Sequence, residues 1–141
     1  MELTVEIAQE SDHTKWDEII SSSSYGTIFH TWSWLKLVEE QTKSRFVPLM
    51  LYKGTELVGL YPFFITKKGG INLAFSPPPK AYLLYLGPVI INYDNLKQDK
   101  KESMFIDIQT TVNRYLFETA GCKYLRIRTS PGLYDSRPLK W

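Results

Sequence analysis

The sequence predicts an α/β chain of the α+β kind, with a mostly antiparallel central sheet flanked by helices in the order β-α-α-β-β-β-(β)-α-β. Three observations point there. Residues 46–52 and 56–65 are rich in β-branched and aromatic residues and are divided by the turn chemistry of Lys53-Gly54-Thr55, which reads as a hairpin. In three other stretches apolar residues recur at three- and four-residue steps, the pattern of helices with one buried face. The longest of these feeds a strand-like run at residues 122–129, and such a crossover usually sets the new strand parallel to an earlier one.

Each element can be justified in order. Leu3, Val5 and Ile7 alternate with Thr4 and Glu6, giving the first strand one buried face. Asp12 can cap a helix in which Trp16, Ile19 and Ile20 share a face, and the serines at 21–24 should end it. Thr31 is the next N-cap, for a helix over 32–42 whose stripe is expected to put Trp34 in the core with Leu35, Leu37 and Val38 and to leave Trp32 outside.

After the hairpin, Lys67-Lys68-Gly69-Gly70 reverses the chain again, and residues 71–75 form a third antiparallel strand that Pro77-Pro78-Pro79 stops. Residues 82–91 hold strand formers around Gly87-Pro88, so a bulge or break is expected there. The polar run 95–103 leads into the longest helix, with Phe105, Ile108, Val112, Tyr115, Leu116 and Thr119 in its stripe and Gly121 closing it. In the last strand Tyr124, Arg126 and Arg128 take one face, Leu125 and Ile127 the other.

With 141 residues, 43% hydrophobic and 14% aromatic, the chain can build one core: a domain over 1–130 and a tail over 131–141. Its 17 basic and 15 acidic side chains leave a formal charge of +2, scattered along the chain, so DNA is not an expected partner. Cys122 has no second cysteine to pair with, which suits a reducing compartment and predicts a cytoplasmic location. No signal-peptide pattern and no long apolar run occur, so neither secretion nor a membrane span is expected.

Several short segments, taken together, resemble one family. Trp16-Asp17-Glu18-Ile19-Ile20, then Tyr25-Gly26-Thr27-Ile28-Phe29-His30-Thr31, then Trp34-Leu35 resemble the opening of Fem-type and related GNAT-like acyltransferases. Leu57-Val58-Gly59-Leu60-Tyr61-Pro62-Phe63 and Tyr85-Leu86-Gly87-Pro88-Val89 are similar to two of that family's strands. The run from Asp135 and Arg137 to Trp141 looks like a segment near the join between its two halves.

The resemblance implies a GNAT-like fold and the N-terminal half of an enzyme that passes an acyl or aminoacyl group to an amine. Acyl-CoA or aminoacyl-tRNA would be the donor for the complete enzyme. The expected partner is a second GNAT-like half or a partner subunit, with a homodimer as the form in which a second copy takes its place. The stop at Trp141 in mid-motif carries the expectation that the chain alone is inactive, and a non-catalytic binding or assembly module is the alternative. One departure matters. Acyl-CoA-binding relatives carry a glycine-rich loop before the long helix, whereas no second glycine follows Gly87 before Phe105, so tight cofactor binding by this chain is not expected.

Candidate site residues follow from residue type. His30 titrates near neutrality and stands at a helix start, which suits acid/base work; a local hydrogen bond at the helix entry is the plainer reading. Phe29 and Trp32 could line an acceptor pocket. Tyr61 and Tyr85, read as strand residues, could offer phenol hydroxyls, though cross-strand packing explains them as well. Arg126 and Arg128 could grip a phosphate or carboxylate, against the simpler alternative of a solvated face or pairing with acids. His13 is expected to face solvent, Lys67-Lys68 to be a solvated turn, and Asp135 and Arg137 to tether a second half. Metal-ligand spacing is absent from the sequence.

Overall fold

A computed structural model describes residues 3–23, 26–81, 83 and 85–129. Its strands are β1 (Thr4–Ile7), β2 (Arg45–Lys53), β3 (Glu56–Lys68), β4 (Ile71–Ser76), β5 (Val89–Ile90) and β6 (Cys122–Ile127). Its helices are α1 (His13–Ser22), α2 (Trp32–Thr42) and α3 (Gln98–Arg114). The sheet runs β1-β2-β3-β4-β6, with β5 also paired to β3. All strand pairings are antiparallel except β4 with β6, so α3 makes the expected crossover. The mixed, mostly antiparallel fold class is as the sequence predicts. The tail at 131–141, with Asp135 and Arg137, lies outside the described residues, as does Tyr25.

Two tight connections hold the meander in register. Lys53 pairs with Glu56, and Lys68 pairs with Ile71. Gly69 and Gly70 between the latter both have positive φ, 59° and 79°, the conformation that a two-residue hairpin turn needs and that glycine adopts without strain.

The expected break at Gly87-Pro88 has a definite form. Residues 77–81, 83 and 85 lie outside the sheet, and the chain then re-enters the row between β3 and β6: Leu86 bridges to Thr129, and β5 pairs with Gly59 and Leu60. Three prolines lack the N–H groups that would continue β4. Gly87, at φ 77°, passes so close to the last strand that a Cβ would lie 3.0 Å from Thr129 Cα.

The sheet separates two cores, as alternation along each strand requires. On one face Trp16, Ile20, Trp32, Leu35 and Val38 of α1 and α2 pack on Phe46, Met50, Leu60 and Phe64. On the other, Phe105, Ile108, Val112 and Leu116 pack on Val47, Leu49, Leu51, Tyr61 and Phe63.

Four expectations need correction. In α2 it is Trp32 that is buried, at 3% exposure, while Trp34 is half-buried and Leu37 exposed. The helix docks along the Trp32–Leu35–Val38 line, because Trp32, Trp34, Leu35, Leu37 and Val38 together spread over about 220° of a 3.6-residue helix, more than one docked face can bury. Ile7, at the end of an edge strand, is exposed rather than buried. Tyr85 lies outside any strand. Residues 98–103 belong to α3, where Lys100, Lys101 and Glu102 favour a solvated helical turn; a π-turn, Tyr115–Thr119, extends the helix toward Gly121.

Candidate functional site

A network of hydrogen bonds centres on His30. A short 3₁₀ turn, Ile28–His30, follows Thr27, whose hydroxyl accepts the Phe29 N–H at 3.2 Å. The turn carries the His30 ring inward until it is completely buried. Nε2 lies 3.2 Å from the Leu86 carbonyl oxygen, 56 residues away in sequence. A carbonyl only accepts, so Nε2 carries the proton and Nδ1 accepts from the Thr27 N–H, at 3.2 Å. The Trp16 indole N–H donates to the His30 carbonyl at 2.7 Å, which ties α1 to the same point.

Burial lowers the His30 pKa to about 4, partly opposed by backbone hydrogen bonds to Leu86 and Gly87 that favour the charged form. The Thr27 hydroxyl also lies 2.9 Å from Nδ1 and donates to it when the ring is neutral. His30 is therefore neutral at physiological pH, with both nitrogens engaged inside the fold.

A second set of bonds continues the network. The buried Ser76 hydroxyl donates to the Pro62 carbonyl at 2.6 Å and accepts the Gly87 N–H at 3.1 Å. Arg128 N–H donates to Ser76 O, and Leu86 N–H to Arg128 O. Segments 26–31, 57–63 and 85–89, widely spaced along the chain, thus meet in one place. Ser76 was not singled out from the sequence; its only signal is a serine at the head of a proline run.

The other candidates are dispersed. Trp32 stacks beside His13 at 6.0 Å, and its indole N–H donates to Glu10 at 3.3 Å. His13 is half-buried and paired with Asp17 at 3.0 Å. Phe29 is 38% exposed and meets Trp34 edge-on; Tyr85 is 47% exposed. Tyr61 lies in the opposite core, with its hydroxyl donating to Gln109 at 2.7 Å, and burial raises its pKa well above the ordinary phenol value. Gln109 in turn donates to Asn113 at 2.8 Å. A glutamine within an apolar helical stripe was the sequence signal for this relay. Arg126 stacks its guanidinium over Phe75 at 5.3 Å, and its buried Nε has no hydrogen-bond partner. Arg128 is exposed and is held by its backbone. Because the sheet stands between His30 and Tyr61, they do not share a cleft.

α3 has Lys97 at its N-cap, whose side chain makes no capping bond, and Asp99 in its first turn beside Lys100 and Lys101. The residues before it form a 3₁₀ turn, Tyr93–Asn95. Among the described residues no group of three His, Cys, Asp or Glu side chains could hold a metal ion, and no helix is long and apolar enough to cross a membrane.

No protein-family model matches the chain, and no curated protein matches it. The solved structures similar to it include two acetyltransferases. A GNAT family acetyltransferase of Staphylococcus aureus is 15% identical, with 92% of this chain and 88% of that chain covered and a TM-score of 0.48. An acetyltransferase of Trypanosoma brucei is 12% identical, with 92% and 84% covered and a TM-score of 0.49. Likeness at this level carries no argument about what this chain does.

Proposed function

We propose that the chain is the acceptor-side, GNAT-like N-terminal half of an enzyme of the Fem-type kind, which transfers an acyl or aminoacyl group to an amine. The observation that carries this reading is the convergence of the three family-like segments on the bonds from His30 to Leu86 and from Ser76 to Pro62 and Gly87. On this reading exposed Phe29 and Tyr85, next in sequence to the bonded His30 and Leu86, form the rim that takes the acceptor. Aromatic rings there can hold an amine-bearing acceptor through its cationic form and its apolar stem. The work of such a half is to position the acceptor, since orientation is a large part of the barrier in acyl transfer. His30 supports the rim as a positioning residue. The donor, acyl-CoA or aminoacyl-tRNA, is assigned to a second half or partner subunit, a reading supported by the lack of a second glycine between Gly87 and Phe105.

A non-catalytic assembly module is the second reading, favoured by the lack of a second glycine between Gly87 and Phe105. Ring NMR spectra of the chain titrated with spermidine and with a lysine-containing peptide test the first reading. It expects saturable shifts of the Phe29 and Tyr85 signals that Phe29→Ala abolishes without moving the melting temperature. If neither amine moves those signals, the acceptor-side reading fails; saturable micromolar binding of acetyl-CoA would overturn both the module reading and the assignment of the donor elsewhere.

A further inference from the structure

Among the described residues β6 pairs with β4 alone, which makes it an edge of the sheet. Arg128 directs both backbone groups to the β4 side, its N–H to Ser76 and its C=O to the Leu86 N–H. Backbone groups alternate sides along a strand in a parallel pair. Past the register shift that sets Cys122 against Asn72 and Tyr124 against Leu73, the residues of the other parity, Leu125 and Ile127, therefore turn N–H and C=O to the open side. A strand edge of this kind is a template for another strand.

The same two residues and Lys123 wall a cavity of ≈ 260 Å³ that Gln109, Asn113 and Phe117 close from the helical side. Its floor is a built polar relay: Gln109 is 1% exposed, with its amide held between Tyr61 and Asn113. Phe117 and Tyr124, at 43% and 47% exposure, supply apolar surface beside it. The charge is of one sign. Lys123, Arg126 and Arg128 lie on or just past β6, and no carboxylate lines the cavity.

We propose that this edge and cavity bind an extended, acidic peptide strand from another protein chain. The strand adds to the sheet along β6 through the backbone groups of Leu125 and Ile127, as in β-augmentation. A carboxylate side chain meets the Lys123 ammonium beside the Asn113 amide, and alternate apolar residues cover Leu125, Ile127 and Phe117. Charge complementarity selects this occupant over a second copy, since antiparallel pairing of two β6 strands sets Lys123, Arg126 and Arg128 against the same cations. The inference holds whether or not the chain takes part in acyl transfer.

Fluorescence anisotropy on the full chain, with no acyl donor present, tests it. The probes are labelled decapeptides alternating valine with glutamate, the same peptide N-methylated along one edge, and one alternating valine with lysine. The glutamate peptide is expected to bind saturably, the N-methylated and lysine peptides at least about tenfold more weakly, and Lys123→Glu to reverse the charge preference with an unchanged melting temperature. Equal binding of the acidic and basic peptides would overturn the proposal. So would no saturation by about 1 mM, as when the chain's own residues 130–141 cover the edge, or a dimer by sedimentation that the glutamate peptide fails to dissociate.

Discussion

The two faces of the sheet are built by different means. On the α1/α2 face, aromatic rings meet at 5.3–5.7 Å around Trp32, and polar bonds from Trp16, His30 and Ser76 tie together segments distant in sequence. On the α3 face aromatic rings meet too, Tyr61 and Phe63 stacking at 4.5 Å, but among the described residues the buried relay Tyr61–Gln109–Asn113 runs outward to a cavity at the β6 edge. The first face holds loops in place, whereas the second leads to a surface. Residues that look chemically versatile in sequence, His30 above all, are therefore structural ties where they are most deeply buried.

Substitutions can break or sharpen that contrast. Trp16→Ala, which opens a cavity and strips the His30 carbonyl of its donor, should cost about 4 kcal/mol by denaturant unfolding and loosen the loop at 26–31. A loss below about 1 kcal/mol would mean that the ties do not hold the first face. Tyr61→Phe should cost about 2 kcal/mol, because Gln109 Oε1 is left buried and unpaired. Adding Gln109→Leu to that variant should recover part of the loss, as expected of a relay rather than of packing alone. Arg126→Met should change stability least, within about 1 kcal/mol, since it removes a single cation–aromatic stack and, along with it, a buried Nε that has no partner.

Much of the fold was legible in the sequence, for local reasons. The hairpin of β2 and β3, the glycine turn before β4 and the extent of α2 follow from periodicity and turn chemistry within a few residues. The docked face of α2 was misread because Trp32 and Trp34 are equally apolar; only the sheet beneath selects the Trp32–Leu35–Val38 line. The split of the fourth strand was legible as a break at Gly87-Pro88, but not the return of Leu86 and β5 to the same row. The site was least legible. The bond from His30 to Leu86 joins residues 56 apart, and no local pattern encodes such a partner.

The central claim is that His30 is a neutral tie, protonated on Nε2, and not an acid/base group. Its folded pKa is about 4, below the ordinary 6.5, so the unfolded chain binds the extra proton first. Stability is thus lost as pH falls from 6.5 toward 4, by about 3 kcal/mol in all, and is unaffected by this group above 6.5. The ring nitrogen shifts of His30, followed by NMR from neutral pH into acid, test this directly. The account predicts the Nε2–H tautomer and no titration until about pH 4; an Nδ1–H tautomer, or a midpoint near the ordinary 6.5 in the folded chain, would contradict it.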